Sequence, residues 1–331
     1  MGHGRHHPLI MILPVIGALL FGRVLPAWTL SLATIGASNA LVALGVVVLA
    51  RTGNVSFGQG LFFAAGGYGV ALIANSWGIT DAVLQMVIGA ICGCLLGLVI
   101  SPLIARYSGI FFGMLTLALS MVLYGALIKT TLLGGSDGFN VGRPSLFGIS
   151  FVDLREADFM LYAVAVMTAG LAAIAAVILF RSEFGLASLA VRENNLRVEY
   201  LGISANSVIA ANFVIAATLA GASGALALMA QRHIDPQFAY WTTSGEFVFV
   251  AVLAGYQSVL AVFVASLTLE LVRSFSNLYL PNTWQLALGI FLLAVILFLP
   301  RGIGSLWTRE RHRRTERSPA APAAAEEGAL T

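Results

Sequence analysis

An all-α bundle that crosses a membrane many times is the fold class this sequence predicts, and three observations predict it. Apolar residues make up 59% of the 331 residues and charged residues only 10%, whereas a soluble domain carries about 25% charge. Apolar runs long enough to cross a bilayer recur along the whole chain. Between two of them stands a single charge-dense segment, Arg181 to Gly202 (RSEFGLASLAVRENNLRVEYLG), with Arg181, Arg192, Arg197, Glu183, Glu193 and Glu199. At a bilayer midplane six such groups, at about 3 kcal/mol each, would cost on the order of 18 kcal/mol, so this segment must lie in water.

Taken in order, Met1 to His7 is a basic segment with Arg5 and three histidines, read as a solvated end rather than a metal site. The apolar run from Pro8 to Leu25 has no small-residue cleavage site after it and reads as a first span. A second covers Ala27 to Ala50. Residues 52–78, rich in glycine, lead into a third that ends near Asn75. Asp81 to Ala105 and Gly109 to Lys129 follow. In the former, Gly89, Gly93 and Gly97 recur every four residues, the spacing of a flat face against a neighbouring helix. Cys92 and Cys94 are two apart in the same run, point to different faces, and read as small packing residues.

Residues 134–157 are too polar and turn-rich to span, and a sixth span runs from Asp158 to Phe180. Within the charged segment Leu189, Leu196 and Tyr200 fall at helical spacing, and Glu193 precedes Arg197 by four. Asn194 or Asn195 is placed to cap a second short helix that Gly202 would stop. Ser207 to Ala230 is the next span, followed by a polar loop over 231–238. The run from Ala239 to Phe275 is too long for one crossing and is divided at Gly255-Tyr256-Gln257-Ser258. Thr283 to Leu299 closes the bundle. The tail 308–331, arginine-rich and then Ala/Pro/Glu-rich, is expected to be disordered.

Charge tests this count of about ten spans, some short or broken. With both termini inside, the inner segments hold 12 of the 18 basic residues and the outer ones 6, which satisfies the positive-inside rule. One span over 239–275 would put the basic tail outside. The charged segment therefore faces the cytoplasm, as a packed connector or as a handle moved by another protein.

The chemistry that is missing narrows the function. With one lysine, Lys129, the chain has no phosphate-binding G-x-x-x-x-G-K-[ST] loop, and it has no zinc-protease helix or nucleophile elbow. No enzyme activity and no cofactor is expected. His233 and Asp235 share an outer loop and read as a surface pair. Glu246 and Glu270 fall near span ends, so the mid-membrane carboxylates that ion-coupled carriers use are scarce. The best candidate for a solute path is 53–69. Its six glycines weaken a regular helix, and Asn54, Ser56, Gln59 and Tyr68 offer uncharged hydrogen-bonding groups that suit a small polar or zwitterionic solute. The same stretch also reads as a glycine-rich packing face.

Four segments, in order, resemble the LivM-type permeases of branched-chain amino acid importers. GNVSFGQGLFFAAGGYG (53–69) is similar to the family's G-Q-x-S-[LF]-G-[HQ]-x-x-F-x-x-x-G-A-Y stretch, and GGSDGF (134–139) to its T-G-G-[SP]-[DN]-G-[LI] loop. FRSEFGLASLAVRENNLRVEYLGI (180–203) is similar to R-S-x-x-G-R-x-x-x-A-I-R-E-[ND]-E…A-x-x-x-G-I, and FLPRGIG (298–304) to F-x-P-x-G-[LI]-x-G. The chain departs from these patterns at Asn54, Gln59 and Leu186, and at 253–258, where Tyr256 stands in a normally glycine-rich stretch.

The resemblance implies a permease domain over 8–307 in a bacterial inner membrane, within an ATP-binding-cassette importer. Its implied partners are a LivH-like second permease subunit, two cytoplasmic ATPase subunits and an external solute-binding protein. The missing nucleotide loop then belongs to other chains. Residues 181–206 become the segment that couples to an ATPase, with Arg181, Glu183, Arg192, Glu193, Asn194 and Arg197 as the contact residues. Branched-chain amino acids are the family's usual solute, with urea, amides and short organic acids also carried. The alternative class is a self-contained carrier or channel for a small polar solute.

Overall fold

The computed structural model describes residues 12–146, 148, 153–255, 258–279, 281–298 and 302. The amino-terminal segment 1–7, the tail 308–331, Tyr256, Gln257 and most of the 298–304 motif lie outside them. Among the described residues twelve α-helices follow one another: α1 (Ile12–Gly22), α2 (Ala27–Ala50), α3 (Gln59–Trp77), α4 (Ala82–Ile104), α5 (Ile110–Lys129), α6 (Leu154–Arg181), α7 (Glu183–Glu193), α8 (Asn195–Tyr200), α9 (Ala205–Gln231), α10 (Trp241–Ala254), α11 (Val259–Tyr279) and α12 (Trp284–Phe298). A two-residue strand β1 (Phe139–Asn140) pairs antiparallel with β2 (His233–Ile234), Phe139 opposite Ile234.

Each of the ten segments read as spans overlaps one of these helices, and six of them (α2, α4, α5, α6, α9 and α11) are long and apolar enough to cross a membrane. The described part of α1 and helices α10 and α12 are shorter, at 11, 14 and 15 residues. At 1.5 Å per residue α10 extends about 21 Å, less than the hydrocarbon thickness of about 30 Å.

Helix α9 is the centre and packs on α4, α3 and α2. Small residues make this possible, because in lipid close backbone approach replaces the hydrophobic drive for helix association. A Cβ at Gly93 would strike the Ala217 carbonyl, one at Gly221 the Gly89 carbonyl, and one at Gly224 the Phe63 carbonyl. The stripe of Gly89, Gly93 and Gly97 is thus a packing face against α9. Hydroxyls fasten the same core. Ser38 of α2 and Ser223 of α9 each donate to the other's carbonyl, at 2.9 and 2.6 Å, and Ser266 of α11 donates to the Gly36 carbonyl at 2.7 Å. Cys92 and Cys94 are unpaired and half-buried, and Cys92 lies beside Gly69 of α3.

The division of 239–275 is real: α10 ends at Ala254, Gly255 takes φ 75°, and α11 begins at Val259. Three expectations need correction. Helix α6 starts four residues before Asp158, because Asp153 caps it and accepts from the Arg155 N–H at 3.1 Å. Glu246 and Glu270, read as near span ends, are mid-helix residues, the sixth of α10 and the twelfth of α11, and Arg273 also lies within α11. Arg273 pairs with Glu246 at 2.9 Å, and Asn39 of α2 donates to Glu270 at 3.1 Å. These partners are what let the carboxylates sit there, since an unpaired charge in a span is costly.

The third correction concerns 231–238, read as a polar outer loop. Arg232 adopts φ 56° and turns the chain back against the bundle. Ile234, Pro236, Phe238 and Ala239 are buried, and the 3-10 turn Pro236–Ala239 packs against α3, α5 and α10. Here Asp235 caps the Gln237 N–H at 2.9 Å, while His233 bonds Asn140 at 2.9 Å across the β1–β2 pair.

Candidate solute path and coupling surface

The chain leaves α2 at Arg51 and reaches α3 through a loop, 52–58, whose polar residues Thr52, Asn54 and Ser56 are buried. Its polar side chains are used by backbone. Asn54, 2% exposed, accepts from the Gly109 N–H at 3.0 Å and so fixes the start of α5. Ser56, fully buried, accepts from the Gly58 N–H at 3.2 Å. The loop is further held by Phe57 N–H to Thr116 at 3.2 Å, and the first turn of α3 by Gly60 N–H to Ser244 of α10 at 2.8 Å.

Gln59 and Tyr68 differ from these two. Gln59 is fully buried, and among the described residues neither its amide nitrogen nor its amide oxygen has a hydrogen-bond partner. Tyr68 is 4% exposed, its ring meets the edge of Phe139 with centroids 6.0 Å apart, and its hydroxyl also has no partner among the described residues. A buried polar group left unsatisfied costs about 1–3 kcal/mol and is rare enough in native proteins to need a reason. The nine-residue step from Gln59 to Tyr68 is about two and a half turns, which puts them on opposite faces of α3. The four residues of the 53–69 reading are therefore not one stripe: two serve the loop and two carry free polar groups in different directions.

The glycines of this stretch are contacts. Gly58 abuts the Thr116 carbonyl, Gly60 the Ser244 hydroxyl and the Phe238 carbonyl, Gly66 the Gly221 carbonyl, and Gly67 the side chain of Ile234. Gln59 thus begins its helix where a second interrupted segment, the 236–239 turn and the start of α10, meets it. Phe63 stacks on Phe238 at 5.0 Å, and Ser120 of α5 donates to the Ala239 carbonyl at 2.8 Å. Ser120 is about 15 Å along α5 from Ile110, so this junction lies deep in the bundle. Phe238, Ser120 and Ser244 were missed from sequence; the one signal for them is the Asp235-Pro236 turn directly after an apolar run.

At the Arg51 end of the bundle, α6 finishes at Arg181 and Ser182 caps α7, accepting from the Gly185 N–H at 3.3 Å. Helix α7 places Glu183 in its first turn and Arg192 in its last, each matched to the helix dipole. Asn194 breaks the helix (φ −162°, ψ 106°) and caps α8, accepting from the Arg197 N–H at 3.1 Å, and Gly202 ends the pair at φ 84°. This break also separates Glu193 and Arg197, which no longer share a helical turn. The apolar spacing of Leu196 and Tyr200 does not mark a buried face: they are 65% and 88% exposed, and Gly185, Ser188, Val191 and Val198 face inward instead.

Asn212 of α9 anchors this element by donating to Ser188 at 2.9 Å. All six residues read as contacts, Arg181, Glu183, Arg192, Glu193, Asn194 and Arg197, are exposed. They join the path stretch at one place. A Cβ on Gly53, whose φ is 84°, would lie 3.3 Å from Cγ of Arg192. Next to it the Arg51 guanidinium covers the Phe180 ring at 4.1 Å. Burial, and then the charge of Arg192, lower the Arg51 pKa below its ordinary value.

A family model described as branched-chain amino acid transport system / permease component matches residues 28–299, every helix from α3 to α12 included. The chain belongs to this permease family. It is 26% identical to the high-affinity branched-chain amino acid transport system permease protein LivM of Escherichia coli K12, over 89% of this chain and 74% of that protein. It is also 26% identical to the probable permease LivH of Methanocaldococcus jannaschii, over 80% of this chain and 87% of that one. BraD of Pseudomonas aeruginosa matches at 26% identity, over 82% of this chain and 92% of its own length. No solved structure matches the chain. As a member of the family this is a multi-pass membrane permease component.

Proposed function

We propose that this chain is one membrane subunit of an ATP-driven importer in a bacterial inner membrane, and that it carries a branched-chain amino acid or a chemically similar small polar solute. It pairs with a LivH-like permease subunit, two ATPase subunits dock on its cytoplasmic side, and an external binding protein delivers the solute. Ten spans, with both termini and the α7–α8 segment in the cytoplasm, complete this reading. The observation that carries it is the junction of two interrupted segments deep in the bundle, where Gln59 keeps an unpaired amide. Discontinuous helices that present free polar groups at membrane depth are tolerated where they serve a cavity.

In the resting arrangement this junction is closed. ATP binding on the partners moves α7 and α8, and the contact of Arg192 with Gly53 passes the movement to the 51–58 loop and the start of α3. The result is alternating access between the two membrane faces. The solute test is uptake by the complete complex in proteoliposomes against a panel. We expect leucine, isoleucine and valine to be transported in the presence of ATP and binding protein. Transport of urea or short amides instead would move the solute class, and uptake of none of the panel would contradict the reading.

A further inference from the structure

We propose that the flank formed by α1, α2 and α6 holds one anionic phospholipid, with its phosphate at Arg23 and Arg155 and an acyl chain in the groove beneath them. The groove has a volume of about 980 Å³. Leu30, Phe159, Ala163, Met167 and Leu171 give it apolar walls, and Arg23, Arg155 and Glu156 stand at one end. From Arg155 to Leu171 it follows α6 for about 24 Å. A single leaflet, half of a bilayer about 40–45 Å thick with its headgroups, has a similar depth.

The charged end is arranged for an anion. Arg155 donates to the Arg23 carbonyl at 3.4 Å, and the Arg23 guanidinium lies 5.8 Å from the Phe159 ring centroid, so two guanidinium groups share one rim. Both are exposed, and neither forms an ion pair among the described residues. Glu156 offsets one of the two charges and leaves an excess of one positive charge. A planar guanidinium matches phosphate oxygens better than any other side chain, and basic pockets between membrane helices bind anionic headgroups.

A lipid fits better than a protein helix, because the charges stand at one end only and the wall is apolar over the remainder of a leaflet's depth. Exposure agrees with this: Met167 and Leu171 are 58% and 70% exposed on the outer face of α6. The groove also shares no helix with the junction of α3, α5 and α10, so it is separate from the solute path.

The test is native mass spectrometry of the purified complete complex with added phosphatidylglycerol or phosphatidylcholine. One phosphatidylglycerol should be retained, with about tenfold or greater preference over phosphatidylcholine. Arg23→Gln with Arg155→Gln should remove that preference, while Arg23→Lys with Arg155→Lys keeps most of it. Ala163→Trp, which fills the groove and spares both arginines, should abolish retention and decides the matter if the glutamine variant does not assemble. Retention unchanged by Ala163→Trp would overturn the proposal. So would a photo-cross-linker at position 163 that captures a protein segment in membranes and no lipid.

Discussion

Asn54 and Gln59 stand five residues apart in one polar, glycine-rich run, and their side chains meet different fates. Asn54 spends its oxygen on the Gly109 N–H and positions α5, whereas Gln59 is buried with both amide atoms unused. Removing an unsatisfied buried amide relieves a penalty of about 1–3 kcal/mol, so Gln59→Leu should leave thermal stability unchanged or raise it by about 1 kcal/mol. If Gln59 serves the solute, the same variant should lose transport or change its selectivity. Melting temperature and uptake, measured together, check this; a less stable protein with wild-type uptake would make Gln59 a packing residue. Composition made all four polar residues of the stretch visible, yet not the difference between them. Whether a neighbouring N–H arrives at Asn54 depends on Gly109, 55 residues away, and no local pattern encodes it.

At the scale of elements, apolar length and turn chemistry made nearly all of the helices legible. The break of 239–275 at Gly255, the cap at Asn194 and the stop at Gly202 each follow from a single residue with a strong local preference. What escaped is the re-entrant turn. QRHIDPQF is polar in sequence, but alternate residues, Ile234, Pro236 and Phe238, turn inward, and four residues are too few for periodicity to register. The helical spacing of Leu196 and Tyr200 has a related limit, because spacing identifies a stripe but not which side is covered. Leu196, Tyr200 and Leu201 are outward and Arg192 is the link to Gly53. Arg192→Ala combined with Glu193→Ala should therefore reduce solute-stimulated ATP hydrolysis to the basal rate while the subunits still co-purify. Stimulation at the wild-type level would remove α7 and α8 from the coupling step.

The whole molecule is organised around α9, whose alanines, serines and glycines let α2, α3 and α4 approach to backbone contact. Around that core, the α7–α8 element touches the rest of the bundle at Gly53, beside Arg192, and at Asn212 of α9, which donates to Ser188. The mid-helix carboxylates bear on the rival reading of a self-contained carrier, because Glu246 and Glu270 lie where an ion-coupled carrier would place them. Arg273 and Asn39 already occupy them, however, and tie α10 and α2 to α11. The central claim is that this chain supplies a path and takes its energy from other subunits. Radiolabelled leucine uptake into proteoliposomes tests it most directly, with this chain alone set against the complete complex with its ATPases and binding protein. Uptake by the complex should depend on ATP, and the chain alone should give none above protein-free vesicles. Saturable uptake by the chain alone, driven by a proton or sodium gradient, would contradict it.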